Sequence, residues 1–436
     1  MLFASTKNKN SIAEYKTAIF KGLADDGALY HPIENIDLTN VYNSFDSKKT
    51  FLEIASTLTG NLLKEEMSFD DAKQICESAF SFKPMLKNLE ERLIILELFH
   101  GPSAAFKDFG ASFLAASMEF FLQNQNRRAL ILTATSGDTG SAVAKAFLGK
   151  KNIDVVILYP SKRVSPLQEK QLTTLGENIK AMEVLGSFDD CQRIVKEAFQ
   201  NQELRKSYNL TSANSINVGR LIPQSFYYVW AWSQIKELVE PSEIVFCVPS
   251  GNFGNLTALL LAKKWGLPIG GVIAATNRNC VVPDYLESGV YQPRRSVQTP
   301  SNAMDVGAPS NFERMQALYP TVSSMKEDIV GYHFDDESTI NAIKECYNNY
   351  SYMVCPHTAV GILAAKKYLT TSDSKKNVIS LSTAHPGKFL EIVKEATTVF
   401  PPLPKCLEEL KNREKHSTII KPTLEDLIFA LKKMIE

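Results

Sequence analysis

The run Leu93-Ile-Ile-Leu-Glu-Leu98, continued by Phe99-His100-Gly-Pro-Ser-Ala-Ala-Phe106-Lys107-Asp108-Phe109-Gly110, sets the pattern for most of the chain. Its first part is short and continuously apolar, as a strand buried on both faces should be. Its second part is a turn carrying glycine and proline, and helical periodicity follows over Ala111–Leu122. A lysine between two phenylalanines at a strand-to-helix junction is an unusual place for a cation. Desolvation there disfavours the ammonium and lowers its pKa, producing a nucleophilic amine able to form Schiff bases. The competing account is an ordinary lysine whose aliphatic stem packs beside the rings.

The same alternation continues to about residue 276. Apolar runs at Ala129–Thr133, Val155–Tyr159, Ala181–Leu185, Ile244–Pro249 and Gly271–Ala275 read as strands. Helical patterns lie between most of them, at Thr139–Leu148, Pro166–Leu175, Phe188–Phe199, Gln224–Leu238 and Leu256–Trp265. Ser165-Pro166 makes a capped helix start and Gly176 a stop. Such alternation implies parallel sheets covered by helices, either one doubly wound sheet or two sheets facing each other.

On the N-terminal side, residues 1–92 read as a separate unit with three helical patterns, Ser11–Leu23, Thr50–Leu63 and Ser68–Phe80, and a short strand at Ala28-Leu29-Tyr30. Ser68 with Asp71 forms a capping box for the third helix. This unit carries no chemistry of its own, and its expected role is scaffold or cover. Residues 277–335 are rich in turn and loop residues, consistent with a mobile lid or lining segment or, equally, with an ordinary insertion. Regular patterns return at Glu337–Asn348, Thr358–Leu369, Val378–Ser382 and Gly387–Ala396, and an amphipathic helix, Thr423–Ile435, ends the chain.

Composition narrows the function classes. A chain of 436 residues exceeds one hydrophobic core. Lys+Arg and Asp+Glu balance at 48 each, which gives no support for a nucleic-acid or anionic-membrane partner. No apolar run approaches the roughly 20 residues of a membrane span, and the N-terminus lacks signal-peptide order. The cysteines, at 76, 191, 247, 280, 346, 355 and 406, are odd in number and lack metal-ligand spacing, so a reduced, cytoplasmic setting and no metal are expected.

Four polar turns fall at the carboxyl ends of predicted strands, where open α/β sheets bind ligands. The lysine turn is the first. The second, Thr133-Ala-Thr135-Ser136-Gly137-Asp138-Thr139-Gly140, suits an anion at a helix N-terminus, or only an N-capped turn. The third, Pro249-Ser250-Gly251-Asn252-Phe253-Gly254-Asn255, lets backbone N–H groups converge on a phosphate, although a loop with a capping asparagine reads equally well. The fourth, Ser382-Thr383-Ala384-His385-Pro386, brings a hydroxyl and a histidine. His385 could be a base or a packed ring, and Cys355-Pro-His357 is equally open. Together they match what pyridoxal phosphate requires: an amine for its aldehyde, a cradle for its phosphate and a group facing its ring nitrogen.

Nearly end to end, the chain resembles the threonine synthase family, within the tryptophan-synthase-β class of pyridoxal-phosphate enzymes. The resemblance rests on Ser5-Thr6-Lys7, Gly22–Gly27, Phe106–Phe109, Thr135–Gly140, Arg163-Val164-Ser165, Asn214–Arg220, Gly251–Asn255, Cys355–Ala359 and Ser382–Pro386. The family's usual Ser-Thr-Arg-Gly is Ser5-Thr6-Lys7-Asn8 here, and its Asp-Gly-Gly is Asp26-Gly27-Ala28.

The resemblance implies fold type II, two open, mostly parallel sheets covered by helices plus the N-terminal helical unit. Its expected divisions are 1–92, a smaller α/β domain at 93–215 with the lysine and anion turn, and a larger one at 216–436 with the phosphate loop. It implies that Lys107 holds pyridoxal 5'-phosphate as a Schiff base. Gly251, Asn252, Phe253, Gly254 and Asn255 would bind the cofactor's phosphate, Thr383 would face the ring nitrogen, and Asp138 would stand near the ring oxygen. A neutral hydroxyl at the nitrogen cannot hold a proton as a carboxylate would, so the ring should be a moderated electron sink. Thr135, Ser136, Thr139, Asn214 and Arg220 would bind the substrate, with Arg220 as the phosphate clamp. The implied reaction converts O-phospho-L-homoserine and water to L-threonine and phosphate, in a monomer or homodimer.

Overall fold

The computed structural model describes residues 1–123, 127–135, 137–371 and 375–435. The chain begins with a three-stranded antiparallel sheet in the order Ile12–Glu14, Leu2–Ser5, Tyr30–Pro32. The helix expected over Ser11–Leu23 is only Tyr15–Lys21, because Ile12–Glu14 is drawn into pairing with Leu2–Ala4. The two longer helices of this unit, Phe51–Leu62 and Phe69–Ala79, both start at reciprocal capping boxes, Thr50 with Glu53 and Ser68 with Asp71. Ser68→Ala should cost about 1 kcal/mol, measured as a lower urea midpoint at unchanged slope.

This unit does not stand apart. Phe51 and Phe82 meet Phe109 edge-on, with ring centres 5.3 and 4.9 Å away, and Tyr227 meets it at 5.4 Å. Phe109 lies in the first turn of the helix Lys107–Leu122, so aromatic packing from the N-terminal helices steadies the turn that presents Lys107. One continuous core joins these rings to both large sheets.

The larger sheet has six strands in the order Ile329–His333, Gly271–Thr276, Ile244–Pro249, Asn377–Ser382, Leu93–Glu97, Met85–Glu90. All pairs are parallel except the last. The smaller sheet is wholly parallel: Thr418–Ile420, Ile179–Val184, Ile153–Pro160, Ala129–Ala134, Leu210–Thr211. Two parallel sheets covered by helices are therefore realised, but the expected boundary at 93 is not a boundary between sheets. Leu93–Glu97 pairs with Asn377–Ser382 in the larger sheet, and Thr418–Ile420 crosses back to edge the smaller one. Local pattern makes a strand; backbone pairing with a distant segment chooses its sheet.

Residues 277–335 are less loop-like than expected. They hold the helices Val281–Ser288, Phe312–Leu318 and Val322–Asp328 and the strand Ile329–His333. The longest irregular stretch is 289–311, around one 3-10 turn at Asn302–Met304. No helix is long and apolar enough to cross a membrane among the described residues.

Candidate active site

Lys107 is the first residue of its helix, and the turn before it is tied to the end of the strand Asn377–Ser382. Phe106 N donates to Thr383 O at 2.8 Å, Leu98 N donates to Ser382 O at 3.0 Å, and Ala105 bridges Ala384. Thr383, remote in sequence, is thereby fixed beside the lysine turn.

Lys107 Nζ lies 4.8 Å from the Phe106 ring centre and 3.6 Å from Asp138 Oδ2. Burial lowers its pKa; Asp138 opposes that shift, and Lys388 and Arg220 add to it. These surroundings favour the desolvated-amine account over the packed-stem one. Asp108 points away, its carboxylate accepting from Ser103 N at 2.9 Å, and burial raises its pKa to about 6.

Asp138 opens the helix Asp138–Phe147, and its carboxylate also lies 2.7 Å from the buried Lys388 ammonium. Burial alone would raise its pKa, but Lys388 and Lys107 hold it well below the usual carboxylate range. Thr135, expected at the substrate, spends its hydroxyl inside the turn, accepting from Gly137 N at 3.1 Å and Gly140 N at 2.9 Å. The turn reading therefore fits that side chain. Ser136 lies outside the described residues. Thr139 is half-buried, and Asn214 Oδ1 accepts from Thr133 Oγ1 at 2.5 Å, tying the 214–220 segment to the strand end Ala129–Ala134.

Arg220 is buried and, among the described residues, donates only to carbonyls, Ala213 O at 2.5 Å and Lys107 O at 3.4 Å. Its Nε has no hydrogen-bond partner among the described residues. Burial lowers its pKa to about 10, which Asp108 partly offsets. A buried guanidinium without a carboxylate, bonded to the backbone of Lys107 itself, leaves room in the charge balance for an anionic ligand.

Gly251–Phe253 precede the eleven-residue helix Gly254–Lys264. Among the described residues, the N–H groups of Gly251, Asn252 and Phe253 find no acceptor within the protein. Phe253 adopts the left-handed conformation, φ 59°, which bends the loop into the helix N-terminus. Unbonded N–H groups at such an end fit a phosphate. The asparagine side chains do other work: Asn255 Nδ2 donates to Pro249 O at 3.0 Å while its Oδ1 accepts from Ser250 Oγ at 2.5 Å. Asn252 Nδ2 donates to Ser215 Oγ and its Oδ1 accepts from Ser310 N. The loop is thus bonded to the 214–220 segment, and that segment through Arg220 to Lys107.

At Gly251 an added Cβ would come within 2.6 Å of Met304 Cα and 3.0 Å of Ala303 O. Both neighbours are backbone, so Gly251→Ala must displace the cradle at a cost of about 1–3 kcal/mol. The expected result is a smaller rise in melting temperature on adding pyridoxal phosphate than the parent chain shows.

Sequence reasoning missed Lys388, Ser215, Ser310 and Arg314. Arg314 is fully buried and donates to Tyr30 O at 2.8 Å and Ile216 O at 2.6 Å, clamping the N-terminal unit to the 214–220 segment. The signal for Lys388 was a lone cation just beyond the Ser382–Pro386 turn. The two open histidines resolve as packed, uncharged rings. His357 Nε2 accepts from Ala303 N at 3.1 Å, His385 Nδ1 accepts from Gly387 N at 3.0 Å, and burial lowers both pKa values to about 4. All seven cysteines are free thiols. Away from the site, Cys280, Asp284 and His333 could share an ion, but the Arg294 guanidinium already lies 2.7 Å from Asp284 and 3.0 Å from Cys280.

Known proteins resemble this chain in sequence and in fold. The chain matches the family model described as pyridoxal-phosphate dependent enzyme over residues 81–384. Threonine synthase N-terminal and C-terminal models match residues 2–80 and 358–429. The threonine synthase of Buchnera aphidicola subsp. Acyrthosiphon pisum is 41% identical over 417 residues, covering 95% of this chain and 94% of that one. The solved threonine synthase of Escherichia coli superposes with a TM-score of 0.89 at 36% identity, covering 99% of this chain and 100% of that one. The PLP-bound threonine synthase of Brucella melitensis gives 0.92 at 33% identity, covering 99% of both chains. Similarity of this extent, in sequence and in fold together, assigns the protein to the threonine synthase family of pyridoxal-phosphate-dependent enzymes.

Proposed function

We propose that this protein converts O-phospho-L-homoserine and water to L-threonine and phosphate. The observation that carries this reading is Arg220, a buried guanidinium with no carboxylate partner among the described residues, bonded to the backbone of Lys107. A pyridoxal-phosphate enzyme acting on unphosphorylated amino acids has one phosphate to hold, and the Gly251–Phe253 loop with its free N–H groups fits that one. A second anion site beside the lysine fits a substrate that brings its own phosphate.

Pyridoxal phosphate, when bound, supplies an electron-withdrawing ring that acidifies the carbons of an attached amino acid. Lys107 would anchor the cofactor's aldehyde and, once released, take the proton from the substrate's α carbon and serve later proton transfers. Its lowered pKa suits both tasks, since each requires a neutral amine near neutral pH. Arg220 would hold the phosphate as its bond to Cγ breaks, and water would add at Cβ. Thr383 would face the ring nitrogen, and Asn214 and Thr139 would line the substrate. The hydroxyl of Thr135 would act on the turn that carries Asp138.

The test is a turnover assay with O-phospho-L-homoserine, L-serine and L-threonine compared side by side. Equimolar phosphate and threonine from the first substrate are expected. Deamination of the other two without phosphate release from the first would point to a dehydratase and overturn the assignment.

A further inference from the structure

The site holds one ionised carboxylate between two lysines. Asp138 Oδ1 lies 2.7 Å from Lys388 Nζ, whereas Asp138 Oδ2 lies 3.6 Å from Lys107 Nζ. Lys388, in the 3-10 turn Pro386–Lys388, has a fully buried side chain, and its ammonium also donates to Ser103 O at 2.8 Å. Its ammonium is ion-paired with a carboxylate and hydrogen-bonded to a carbonyl, so it is placed as a structural counter-charge and not as a ligand-binding cation. Asp138 carries a complementary problem. A carboxylate near a cofactor's ring oxygen repels negative charge there, and one near a lysine amine holds that amine as an ammonium. A second cation, closer than Lys107, relieves both.

We propose that Lys388 is a further positioning residue for this reaction, acting through Asp138: by taking the carboxylate it keeps Lys107 out of a tight ion pair and available to an aldehyde. This rests on Lys107 being the cofactor's anchor. The charged and titratable groups around Lys107 come from every element packed on it. They are Asp138 from the helix Asp138–Phe147, Lys388 from the turn after the last strand, Arg220 from the segment Val218–Leu221, and the neutral His357 from the helix Pro356–Thr371. Asp108, on the same helix as Lys107, faces the Gly101–Ser103 turn instead. Among these, Asp138 alone holds Lys107 charged, and Lys388 is its nearer partner.

The experiment titrates the visible absorption of the full-length, cofactor-loaded protein against pH for the parent, Lys388→Met, Lys388→Arg and the double variant Asp138→Asn/Lys388→Met. With Lys388 gone, Asp138 faces Lys107 alone and the proton on the lysine-borne nitrogen is retained longer. The midpoint in Lys388→Met should move upward by about one pH unit or more. Lys388→Arg keeps the charge and should titrate near the parent, and the double variant, which removes both charges, should return toward it. An unshifted Lys388→Met, an arginine variant that shifts as far as the methionine one, or a double variant that stays shifted would each overturn the proposal. Should Lys388→Met fail to fold, Lys388→Gln, which keeps a polar donor toward Ser103 O, takes its place with the same upward shift expected and the same unshifted result overturning the proposal. A parent protein with no absorption band bleached by borohydride would instead refute the role of Lys107, which keeps the two failures distinct.

Discussion

Lys107→Ala is expected to abolish the visible absorption band of the protein carrying pyridoxal phosphate and to lower turnover by about 100- to 10,000-fold or more. Both effects follow from one amine. Among the described residues, Lys107 is the lysine placed at the start of the helix after Leu93–Glu97, beside Thr383 and Asp138. Lys388, the other buried lysine nearby, has its ammonium committed to Asp138 and Ser103 O and cannot take over. The fold should survive, because the packing of this turn comes from Phe106, Phe109 and their aromatic neighbours and not from the lysine stem. The measurement is an absorption spectrum with borohydride treatment, paired with a melting curve. A variant that keeps a borohydride-sensitive band would show that the cofactor is anchored elsewhere.

Arg220→Ala is expected to reduce kcat/KM for O-phospho-L-homoserine by roughly 10- to 100-fold, the value of a lost charge-assisted contact of about 1.5–3 kcal/mol. Arg220→Lys should recover only part of that, since an ammonium cannot reproduce the two-pronged fork. Uptake of the cofactor should change little, because the free N–H groups of the Gly251–Phe253 loop belong to another element. The decisive comparison is between steady-state kinetics and cofactor titration. If Arg220→Ala weakened cofactor uptake as much as it weakened turnover, its guanidinium would belong to the cofactor's phosphate and the substrate assignment would lose its support. Some loss of stability accompanies either variant, as Arg220 also braces Ala213 O.

Much of the architecture was written locally. Short apolar runs between amphipathic helices announced parallel sheets because strands buried on both faces need no polar alternation. The Ile244–Pro249 strand falls at its expected bounds, and the Ser68–Asp71 capping box forms as expected. The exposed edge strand Met85–Glu90 escaped notice because Lys87, Asn88 and Glu90 give it the look of a loop. Thr418–Ile420 and Leu210–Thr211 escaped because so few residues establish no period.

The sequence by itself determined the amine and its flanking rings, the glycine loop before a helix, and the hydroxyl turn after the last strand, since each is a choice of residue type within a few positions. Only the tertiary structure decided which of these meet. Pairing of Leu93–Glu97 with Asn377–Ser382 brings Thr383 against Phe106. Packing of the N-terminal helices on Phe109 steadies the lysine turn, and burial of Lys388 settles which cation holds Asp138. The physical reason is the same in each case. Backbone pairing, desolvation and the choice between two ion-pair partners depend on distances between residues far apart in the chain, and no local pattern contains them.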